Sequence, residues 1–295
     1  MLVFLSSCRH CPVMHNHSFK LTSEFADRLA DMALSKTLPL FRSDLTVDNK
    51  SASAFDPVTD ADRQAEQILR QEIEKQFPNH GIVGEEFGSK NADASLRWVL
   101  DPIDGTKAFI TGIPTWTTLI GFEQNATPIF GLVDQPFTGD RWFGGLLDDD
   151  KDANTNSDTT NAFHRRQGKT RSINVSSCTA LSEARLTTTD PRSDGYFTPP
   201  EANAFAAVAS RTKLQRFGLD AYGYALVAEG QFDLAVEAGL ACYDYSAPVA
   251  LVRAAGGVVT DWRGKAPGAD DTGRIIAAAT ESLHAEALEI LSKVP

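Results

Sequence analysis

The clearest periodic pattern near the start of the sequence lies within residues 21–38. Apolar residues such as Phe25 and Leu29 recur there every three or four positions. This spacing places them on one face of an α-helix, and Pro39 directly after the segment is a typical stop signal. Residues 60–77 have the same period. We therefore predict two amphipathic helices that each pack an apolar face against a core.

Short apolar runs bounded by turn residues predict strands along the rest of the chain. The predicted strands are residues 81–84, 98–100, 117–122, 128–134, 171–175, 184–188, 214–216, 232–237, 258–261 and 275–279. The helices predicted among them are residues 200–209, 222–228, 245–255 and 281–291. This alternation is typical of a mixed α/β chain built from two layered halves.

Two polar stretches suggest how the chain is divided. Residues 1–17 are expected to form a disordered tail. The tail contains Cys8-x-x-Cys11, followed by His15 and His17, which could bind zinc. A structural zinc module usually has ordered sequence between its ligand pairs, so we favour the unstructured interpretation. The acidic, aperiodic stretch 148–161 predicts a mobile loop or hairpin tip. We place the boundary there, between an N-terminal α+β half (18–160) and a C-terminal α/β half (161–295).

Composition excludes several classes of protein. The formal charge is −11, which argues against nucleic acid as a partner because phosphate backbones require a basic face. No apolar run approaches the roughly 20 residues of a membrane-spanning helix, so we expect no membrane partner. Two of the four cysteines lie in the tail, and Cys178 and Cys242 are solitary. This pattern is no disulfide framework and favours a cytoplasmic location.

The strongest chemical signal is the sequence DPIDGT at residues 101–106, directly after a short apolar run. Pro102 keeps Asp101 out of helical geometry, and Gly105 permits a tight turn. The carboxylates of Asp101 and Asp104 can then converge just beyond a buried strand. Converging carboxylates repel each other unless a cation lies between them, and a hard divalent ion such as magnesium prefers oxygen ligands. The motif therefore predicts a magnesium site.

The turn after this motif offers a second kind of contact. Backbone N–H groups from Gly105 onward begin a segment that could hold a phosphate. A solvated Asp-Gly turn is the alternative interpretation. The coincidence of the strand, the proline and the three-residue spacing of the aspartates favours the functional one.

Three further acidic residues are candidates. Glu85 follows a predicted strand and is a better ligand candidate than Glu86, which is expected at the surface. Asp244 lies where a strand-like stretch meets a helix, and Asp60 lies at the start of a predicted helix. Either aspartate could instead be a helix cap, although Thr59 is an equally good cap for the second helix.

Other phosphate chemistries fail on the same residues. An aspartyl-phosphate nucleophile requires Asp-x-Asp-x-Thr/Val, and residues 60–64 fail at the last position. A nucleotide P-loop requires Gly-x4-Gly-Lys-Ser/Thr, and residues 268–275 read Gly-x4-Gly-Arg-Ile. No Gly-x-Ser-x-Gly elbow is present.

Together, WxxDPIDGT at 98–106, GEE at 84–86 and Asp244 before an Ala/Gly-rich helix resemble the motifs of the inositol-monophosphatase family. Members of this family are magnesium-dependent, lithium-sensitive phosphomonoesterases. The resemblance covers nearly the whole chain and implies a layered α-β-α-β-α sandwich with the site between its halves. Two positions depart from the pattern: Tyr243 stands where tryptophan is usual, and Ser246 where a small apolar residue is usual.

The resemblance also implies a set of metal ligands. Glu85, Asp101 and the carbonyl of Ile103 would bind one Mg²⁺. Asp101, Asp104 and Asp244 would bind a second, and Glu85 would help to hold a weaker third, giving two or three ions per site. Relatives are often dimers, so a homodimer is expected by analogy.

The remaining roles also follow from the resemblance. Thr106 and Asp60 match the pair that orients the attacking water. The amides of Gly105 and Thr106 would hold the phosphate. Glu237 matches a glutamate that contacts the substrate.

Residues 106–116, 131–136, 186–191 and 217–222 most resemble the histidinol-phosphatase branch of the family. The implied activity is hydrolysis of L-histidinol phosphate to L-histidinol and phosphate by a metal-activated water. An inositol-1-phosphate phosphatase, or a broad sugar-alcohol or nucleotide phosphatase, is the alternative. A regulatory binding module without turnover is the non-enzymatic alternative, and the intact set of candidate residues argues against it.

Histidinol phosphate carries an ammonium group and an imidazole ring. Glu237 and Asp220 are the candidates for meeting the cation, and Tyr243 or Trp116 for packing the ring. Core packing is the alternative role for Trp116, and a turn or cap is the alternative for Asp220.

Overall fold

The computed structural model describes residues 19–44, 47–49, 57–146, 161–268 and 272–295. The predicted tail with its cysteines and histidines, and the acidic stretch up to residue 160, lie outside the described residues. Within them, helices and strands form two large layers of sheet separated and covered by helices. The mixed α/β class predicted from the sequence is confirmed.

Seven α-helices lie within the described residues. They are α1 (Phe19–Thr37), α2 (Asp60–Gln76), α3 (Thr106–Ile110), α4 (Pro199–Ala209), α5 (Asp220–Ala228), α6 (Cys242–Ala254) and α7 (Glu281–Leu291). Single 3-10 turns occupy Leu38–Leu40 and Leu181–Glu183. None of the seven combines the length and apolarity that crossing a bilayer requires.

Two short strands precede α2, and eight more form the larger sheet. The short pair is β1 (Val47–Asn49) and β2 (Pro57–Thr59). The larger sheet comprises β3 (Gly81–Gly84), β4 (Gly88–Lys90), β5 (Leu96–Asp104), β6 (Thr117–Gln124), β7 (Thr127–Gln135), β8 (Asp140–Gly145), β9 (Ala162–Arg166) and β10 (Lys169–Ser172). Their order is β10-β9-β8-β7-β6-β5-β3-β4, and β3 and β5 are parallel.

The smaller sheet has five strands in the order β12-β11-β13-β15-β14. They are β11 (Arg185–Thr188), β12 (Leu214–Phe217), β13 (Leu234–Glu237), β14 (Val258–Thr260) and β15 (Ile275–Ala278). The boundary between the halves differs from the sequence division at residue 160, because β9 pairs with β8 and β10 pairs with β9, which extends the larger sheet to Ser172.

Alternation along the strands builds the layers. On β5, Trp98 and Leu100 point to the face covered by α1 and α2, where they pack with Phe25. On β6 and β7, Leu119 and Val133 point to the opposite face and pack against α5 and α6. Those two helices also cover one face of the smaller sheet, whose other face packs against α4 and α7. The layers therefore run α-β-α-β-α, as the family resemblance implied.

Helix α6 lies unusually close to the larger sheet because glycines line its path. Gly121, Gly131 and Gly144 stand opposite one another on β6, β7 and β8. A Cβ added at Gly121 would lie 2.7 Å from the hydroxyl of Ser246, and one at Gly144 would lie 3.0 Å from the Cβ of Ala254. The row of glycines thus forms a groove that brings the helix against the strand backbone.

Candidate active site

A bulge at the end of β5 brings Asp101 and Asp104 to the same side of the sheet. Residues three apart on a regular strand face opposite sides. Here Asp101 is opposite Leu119 and Asp104 is opposite Thr117, so β5 has one residue more than β6 in this interval. Such an extra residue rotates the side chains that follow it. The carboxylates therefore converge, as the motif predicts, although β5 continues to Asp104 instead of ending at Leu100.

Asp244 reaches this point from the first turn of α6. The helix begins at Cys242, three residues earlier than predicted, so Asp244 lies inside the helix and not before it. The backbone N–H of Ala241 donates to Asp244 Oδ2 at 2.7 Å. One ligand atom from each of Asp101, Asp104 and Asp244 lies within 4.8 Å of the others.

Glu85 joins them from the neighbouring strand. Gly84 on β3 is opposite Leu100 on β5, and the N–H of Glu85 donates to the Leu100 carbonyl at 3.3 Å. The two strands lie side by side, which was the condition for choosing Glu85 as a ligand. We call Glu85, Asp101, Asp104 and Asp244 the metal cluster.

The electrostatics of the metal cluster are dominated by repulsion. Burial, followed by the charges of Glu85, Asp104 and Asp244, raises the pKa of Asp101 well above its ordinary value. Burial and the charges of Asp220 and Asp244 do the same to the pKa of Asp104, against hydrogen bonds from Ala221 N–H and Thr117. No arginine or lysine is among the groups that set either pKa. A donor set of oxygens with uncompensated charge fits a divalent cation.

The metal cluster forms one end of a cavity of about 620 Å³ between the two halves. The remaining lining comes from α3, from the segment after β11 and from the start of α5 and α6. Polar, charged and aromatic residues of this lining include Gly105, Thr106, Lys107, Asp190, Arg192, Asp194, Tyr196, Asp220, Glu237 and Tyr243.

The turn after β5 has the geometry that the sequence predicts. Gly105 has a φ of 79°, in the left-handed region that favours glycine, and α3 begins at the next residue. The Thr106 hydroxyl donates to the carbonyl of Ile103 at 3.1 Å. Ile103, Gly105 and Thr106 all line the cavity beside the metal cluster.

Asp60 does not reach the site, which corrects the sequence assignment. Its side chain is 67% exposed and pairs with Arg63 at 3.2 Å. Asp62 is instead the buried aspartate, at 1% exposure. The two positions point in nearly opposite directions because they are about 200° apart around the helix. Thr59 is the helix cap, accepting a hydrogen bond from the N–H of Ala61.

Asp62 lies close enough to the metal cluster for the charge of Glu85 to affect its pKa. Burial, together with the charge of Glu85, raises the pKa of Asp62 to about 6 against hydrogen bonds from Thr59. Asp62 Oδ2 accepts from the Thr59 N–H at 2.8 Å and from the Thr59 hydroxyl at 2.5 Å. Asp62 Oδ1 is buried and makes no hydrogen bond to another described residue.

The two predicted substrate contacts, Glu237 and Asp220, also line the cavity, and Asp220 is close enough to Asp104 to raise its pKa. Glu237 is held by Thr188 and by both the N–H and the hydroxyl of Thr189. Burial raises the pKa of Glu237 to about 8. Burial also raises the pKa of Asp220 to about 6, and the nearby charge of Lys107 opposes that increase.

Of the two aromatic candidates, only Tyr243 lines the cavity. Trp116 is fully buried and packs against Phe41 and Phe109. The core-packing alternative therefore describes Trp116.

The sequence assigned no role to the side chains of the other charged residues that line the cavity. Lys107 donates to the Tyr196 hydroxyl at 3.1 Å across 89 residues of sequence. Arg192 pairs with Asp190 through Nε at 2.9 Å and Nη2 at 2.6 Å. Residues 186–191 had drawn attention only through their family resemblance. Isolated charges in a loop have no periodicity, so no local pattern could have placed them here.

Comparison with known proteins places this geometry in a family. A family model described as the inositol monophosphatase family matches residues 21–295. The chain is 36% identical over 274 residues to the bifunctional phosphatase IMPL2, chloroplastic, of Arabidopsis thaliana, covering 89% of this chain and 72% of that protein. It is 33% identical over 240 residues to a histidinol-phosphatase of Mycobacterium tuberculosis, covering 81% of this chain and 86% of that protein.

A solved structure shows the same architecture. An inositol monophosphatase from Zymomonas mobilis is 34% identical, aligns with a TM-score of 0.76, and is matched over 93% of this chain and 98% of its own. The predicted fold type and the predicted resemblance are both confirmed. The chain belongs to the inositol monophosphatase family of phosphoric monoester hydrolases.

Proposed function

We propose that this protein is a magnesium-dependent phosphatase that hydrolyses L-histidinol phosphate to L-histidinol and phosphate. One observation carries the proposal. The carboxylates of Asp101, Asp104 and Asp244 converge within 4.8 Å of one another in a cavity that is also lined by the acidic side chains of Asp220 and Glu237.

The oxygen donors of the metal cluster fit the cofactor. Glu85, Asp101 and the Ile103 carbonyl would hold one Mg²⁺, and Asp101, Asp104 and Asp244 would hold a second. Bound magnesium would supply a water of lowered pKa and neutralise charge on the phosphate. In the absence of the ion, the proximity of these carboxylates costs free energy, because burial and mutual repulsion both oppose their ionisation.

Side chains beside the metal cluster would orient the attacking water and accept its proton. In this proposal Asp62 takes the role that the sequence assigned to Asp60, together with Thr106. The hydroxyl of Thr106 is oriented by the Ile103 carbonyl. Asp62 Oδ1 accepts no hydrogen bond from another described residue, so it is available to a water molecule. The pKa of Asp62 is raised to about 6, which is close to the value that suits a general base at neutral pH. The amides of Gly105 and Thr106 would hold the phosphate.

Negative charge in the cavity lining outside the metal cluster supports a cationic substrate. Arg192 is occupied by its two-point pairing with Asp190. Lys107 donates to the Tyr196 hydroxyl and lies near Asp220, while Asp194 and Glu237 add further acidic groups to the cavity lining. Burial without a cation raises the pKa of Glu237 to about 8, so an arriving ammonium group would favour its ionised form.

The ring of histidinol phosphate also has a candidate contact. Tyr243 lines the cavity directly before the ligand Asp244. Its aromatic side chain could pack against the imidazole. A polyol phosphate, such as inositol phosphate, offers neither a ring of this kind nor a positive charge.

Inositol-1-phosphate remains the second candidate substrate. The identity to the Zymomonas mobilis inositol monophosphatase, 34%, is as high as that to the mycobacterial histidinol-phosphatase, 33%. Broad activity on sugar-alcohol phosphates or nucleotides is the next candidate after inositol-1-phosphate. We further propose that the protein acts in the cytoplasm as a homodimer, on a small phosphorylated molecule and without a nucleic-acid or membrane partner.

Phosphate release tests the choice of substrate. The purified protein would be assayed with Mg²⁺ and histidinol phosphate, inositol-1-phosphate or phosphoadenosine phosphate, with an Asp101→Asn preparation as the blank for contaminating phosphatases. We expect kcat/KM for histidinol phosphate to exceed the others by at least about tenfold. A preference for inositol-1-phosphate would reject the proposed substrate, and no metal-dependent release from any of them would reject the proposed phosphatase activity. Growth of a histidine auxotroph carrying this gene is the cellular equivalent.

A further inference from the structure

We infer that Ser246 is a positioning residue for the metal cluster. The structure assigns to it one end of a buried chain, Ser246–Glu123–Arg97, that holds the first turn of α6 and thereby fixes Asp244 relative to β5. This inference rests on the proposed metal site but not on the choice of substrate.

The chain of contacts is continuous. The Ser246 hydroxyl donates to Glu123 Oε1 at 2.8 Å. Arg97 Nε donates to the other oxygen, Glu123 Oε2, at 2.5 Å. Arg97 and Glu123 are opposite each other on β5 and β6, so the second link lies within the larger sheet. The chain therefore ties α6 to the strand that carries Asp101 and Asp104.

Glu123 is buried, so its carboxylate needs the hydrogen bond from the Ser246 hydroxyl. Ser246 has no exposed surface, and Glu123 is 2% exposed. Arg97 neutralises the carboxylate but hydrogen-bonds only one of its oxygens. Removal of one partner from a buried charged group leaves an unsatisfied atom at considerable cost. With alanine at position 246, Glu123 Oε1 would lose this partner, and α6 would be free to shift.

The glycine groove explains why this one contact can set the position of the helix. At Gly121 no side chain stands between β6 and α6, and an added Cβ would lie 2.7 Å from the Ser246 hydroxyl. The first turn of α6 thus contacts the strand at short range. Asp244 lies two residues before Ser246 in this turn, where the Ala241 N–H orients its carboxylate. A small rotation of the turn would move Asp244 away from Asp101 and Asp104.

The departure at Ser246 from the family pattern now has a structural reason. Where a small apolar residue is usual, this chain places a hydroxyl, and the hydroxyl partners a buried glutamate. Glu123 itself does not line the cavity. Its effect on the site is therefore indirect and acts through α6.

The smaller sheet provides a control of similar chemistry. The Ser176 hydroxyl donates to Asp233 Oδ1, and Arg185 Nε donates to Asp233 Oδ2 at 2.8 Å. Asp233 is also buried. Arg185 Nη2 donates to Asp233 Oδ1 as well, at 2.8 Å, so this oxygen keeps a partner when the Ser176 hydroxyl is lost. Neither chain lines the cavity, but Ser246 lies on α6 two residues from Asp244, whereas Ser176 lies outside that helix. Loss of either serine hydroxyl should cost stability, less for Ser176, but only Ser246 should affect the metal.

The test compares Ser246→Ala with Ser176→Ala in the full-length protein. Mn²⁺ binding would be titrated calorimetrically without substrate, and thermal unfolding would be recorded in parallel. We expect Ser246→Ala to weaken Mn²⁺ binding about tenfold. This is the lower end of the loss in metal affinity that follows when a residue that positions a ligand is removed. Ser176→Ala should bind Mn²⁺ like the wild type. Ser246→Thr keeps the hydroxyl and should restore most of the affinity.

Each outcome is distinct. Unchanged Mn²⁺ affinity in Ser246→Ala, or an equal loss in Ser176→Ala, would overturn the inference and reduce the hydroxyl to a contribution to stability. If Ser246→Ala does not fold, Ser246→Thr becomes the test, and weak Mn²⁺ binding by folded Ser246→Thr would also overturn the inference. Failure of the wild type to bind Mn²⁺ would reject the proposed metal site instead, and an unexpected substrate would leave this titration unaffected.

Discussion

Two groups of acidic residues beside the larger sheet have opposite surroundings. In the metal cluster, one carboxylate oxygen from each of Asp101, Asp104 and Asp244 lies within 4.8 Å of the others. In the second group, which we call the arginine cluster, carboxylates surround a guanidinium. The arginine cluster consists of Asp27, Asp31, Asp134 and Arg141.

The difference lies in what opposes the negative charge. Burial raises the pKa of Asp134, as it does that of Asp101, but the charge and hydrogen bond of Arg141 act against the increase. Arg141 contacts Asp134 at 2.7 Å, Asp27 at 3.0 Å and Asp31 at 2.9 Å. The arginine cluster thus supplies its own cation and fastens α1 to β7 and β8. Carboxylates, and not arginine or lysine, are the charges that shift the pKa of Asp101 and Asp104, so we expect the cation of the metal cluster to come from solution.

Substitution in the metal cluster should give the largest effect. We expect Asp101→Asn to lower kcat/KM by about 10³, because each ten-fold corresponds to 1.36 kcal/mol and an ion is worth several kcal/mol at the transition state. Since burial and neighbouring carboxylates raise the pKa of Asp101, its charge destabilises the metal-free protein at neutral pH. Asp101→Asn should therefore melt at a higher temperature in EDTA. A lower melting temperature would contradict the repulsion described for this cluster.

Substitution in the arginine cluster should do the reverse. We expect Arg141→Met to lower the free energy of unfolding by about 3 kcal/mol, because it removes the cation that pairs with the buried carboxylate of Asp134. Activity should be unchanged well below the melting temperature. Urea unfolding measures the effect, with Lys213→Met as the control, because the Lys213–Glu183 pair is exposed to solvent and should contribute much less to stability. Equal losses in the two variants would remove the distinction between buried and exposed pairs.

The two aspartates at the start of α2 permit a sharper comparison beside the metal cluster. We expect Asp62→Asn to reduce kcat about 100-fold if Asp62 is the general base. Asp60→Asn should stay within about twofold, because the Asp60 side chain is exposed and pairs with Arg63. Steady-state kinetics at saturating Mg²⁺ measure both. A larger loss in Asp60→Asn would restore the assignment made from the sequence.

The smallest expected effect is the acid dependence of the Asp233–Arg185 pair. Burial opposes ionisation, but hydrogen bonds from Arg185 and Ser176 outweigh it and lower the pKa of Asp233 below its ordinary value of 3.8. A lowered folded-state pKa stabilises above the unfolded-state pKa, and this stability is lost as the pH falls through the folded-state pKa. Urea unfolding of the wild type and Asp233→Asn should therefore differ most at neutral pH. The difference should shrink as the pH falls from about 5 toward 3. A constant difference would exclude ionisation as its source.

The site could be predicted where residues that are neighbours in sequence limit the course of the backbone. The strand before Asp101, the proline after it and the glycine at Gly105 all limit the backbone, and they led to the correct convergence with Asp104. Glu85 could be chosen because it follows a strand that pairs with the same element. These inferences needed only neighbours in sequence and the rules of sheet geometry.

Predictions failed where long-range packing decides. The pattern could not tell whether Asp60 or Asp62 faces inward, because Thr59 caps the helix and turns Asp62 toward Glu85. Trp116 looked as suitable for a ring contact as Tyr243, but packing with Phe41 and Phe109 buries it.

Packing also moved the limits of elements. The division at residue 160 missed the pairing of β9 with β8. The start of α6 was placed three residues late, although its actual start puts Asp244 inside the helix.

The most direct test of the account is a crystal of the protein soaked with Mn²⁺, with anomalous diffraction recorded at the manganese edge. The account predicts strong anomalous peaks among Glu85, Asp101, Asp104 and Asp244, and none at Asp27, Asp31 and Asp134. Manganese bound in the arginine cluster, with no peak at the metal cluster, would contradict it.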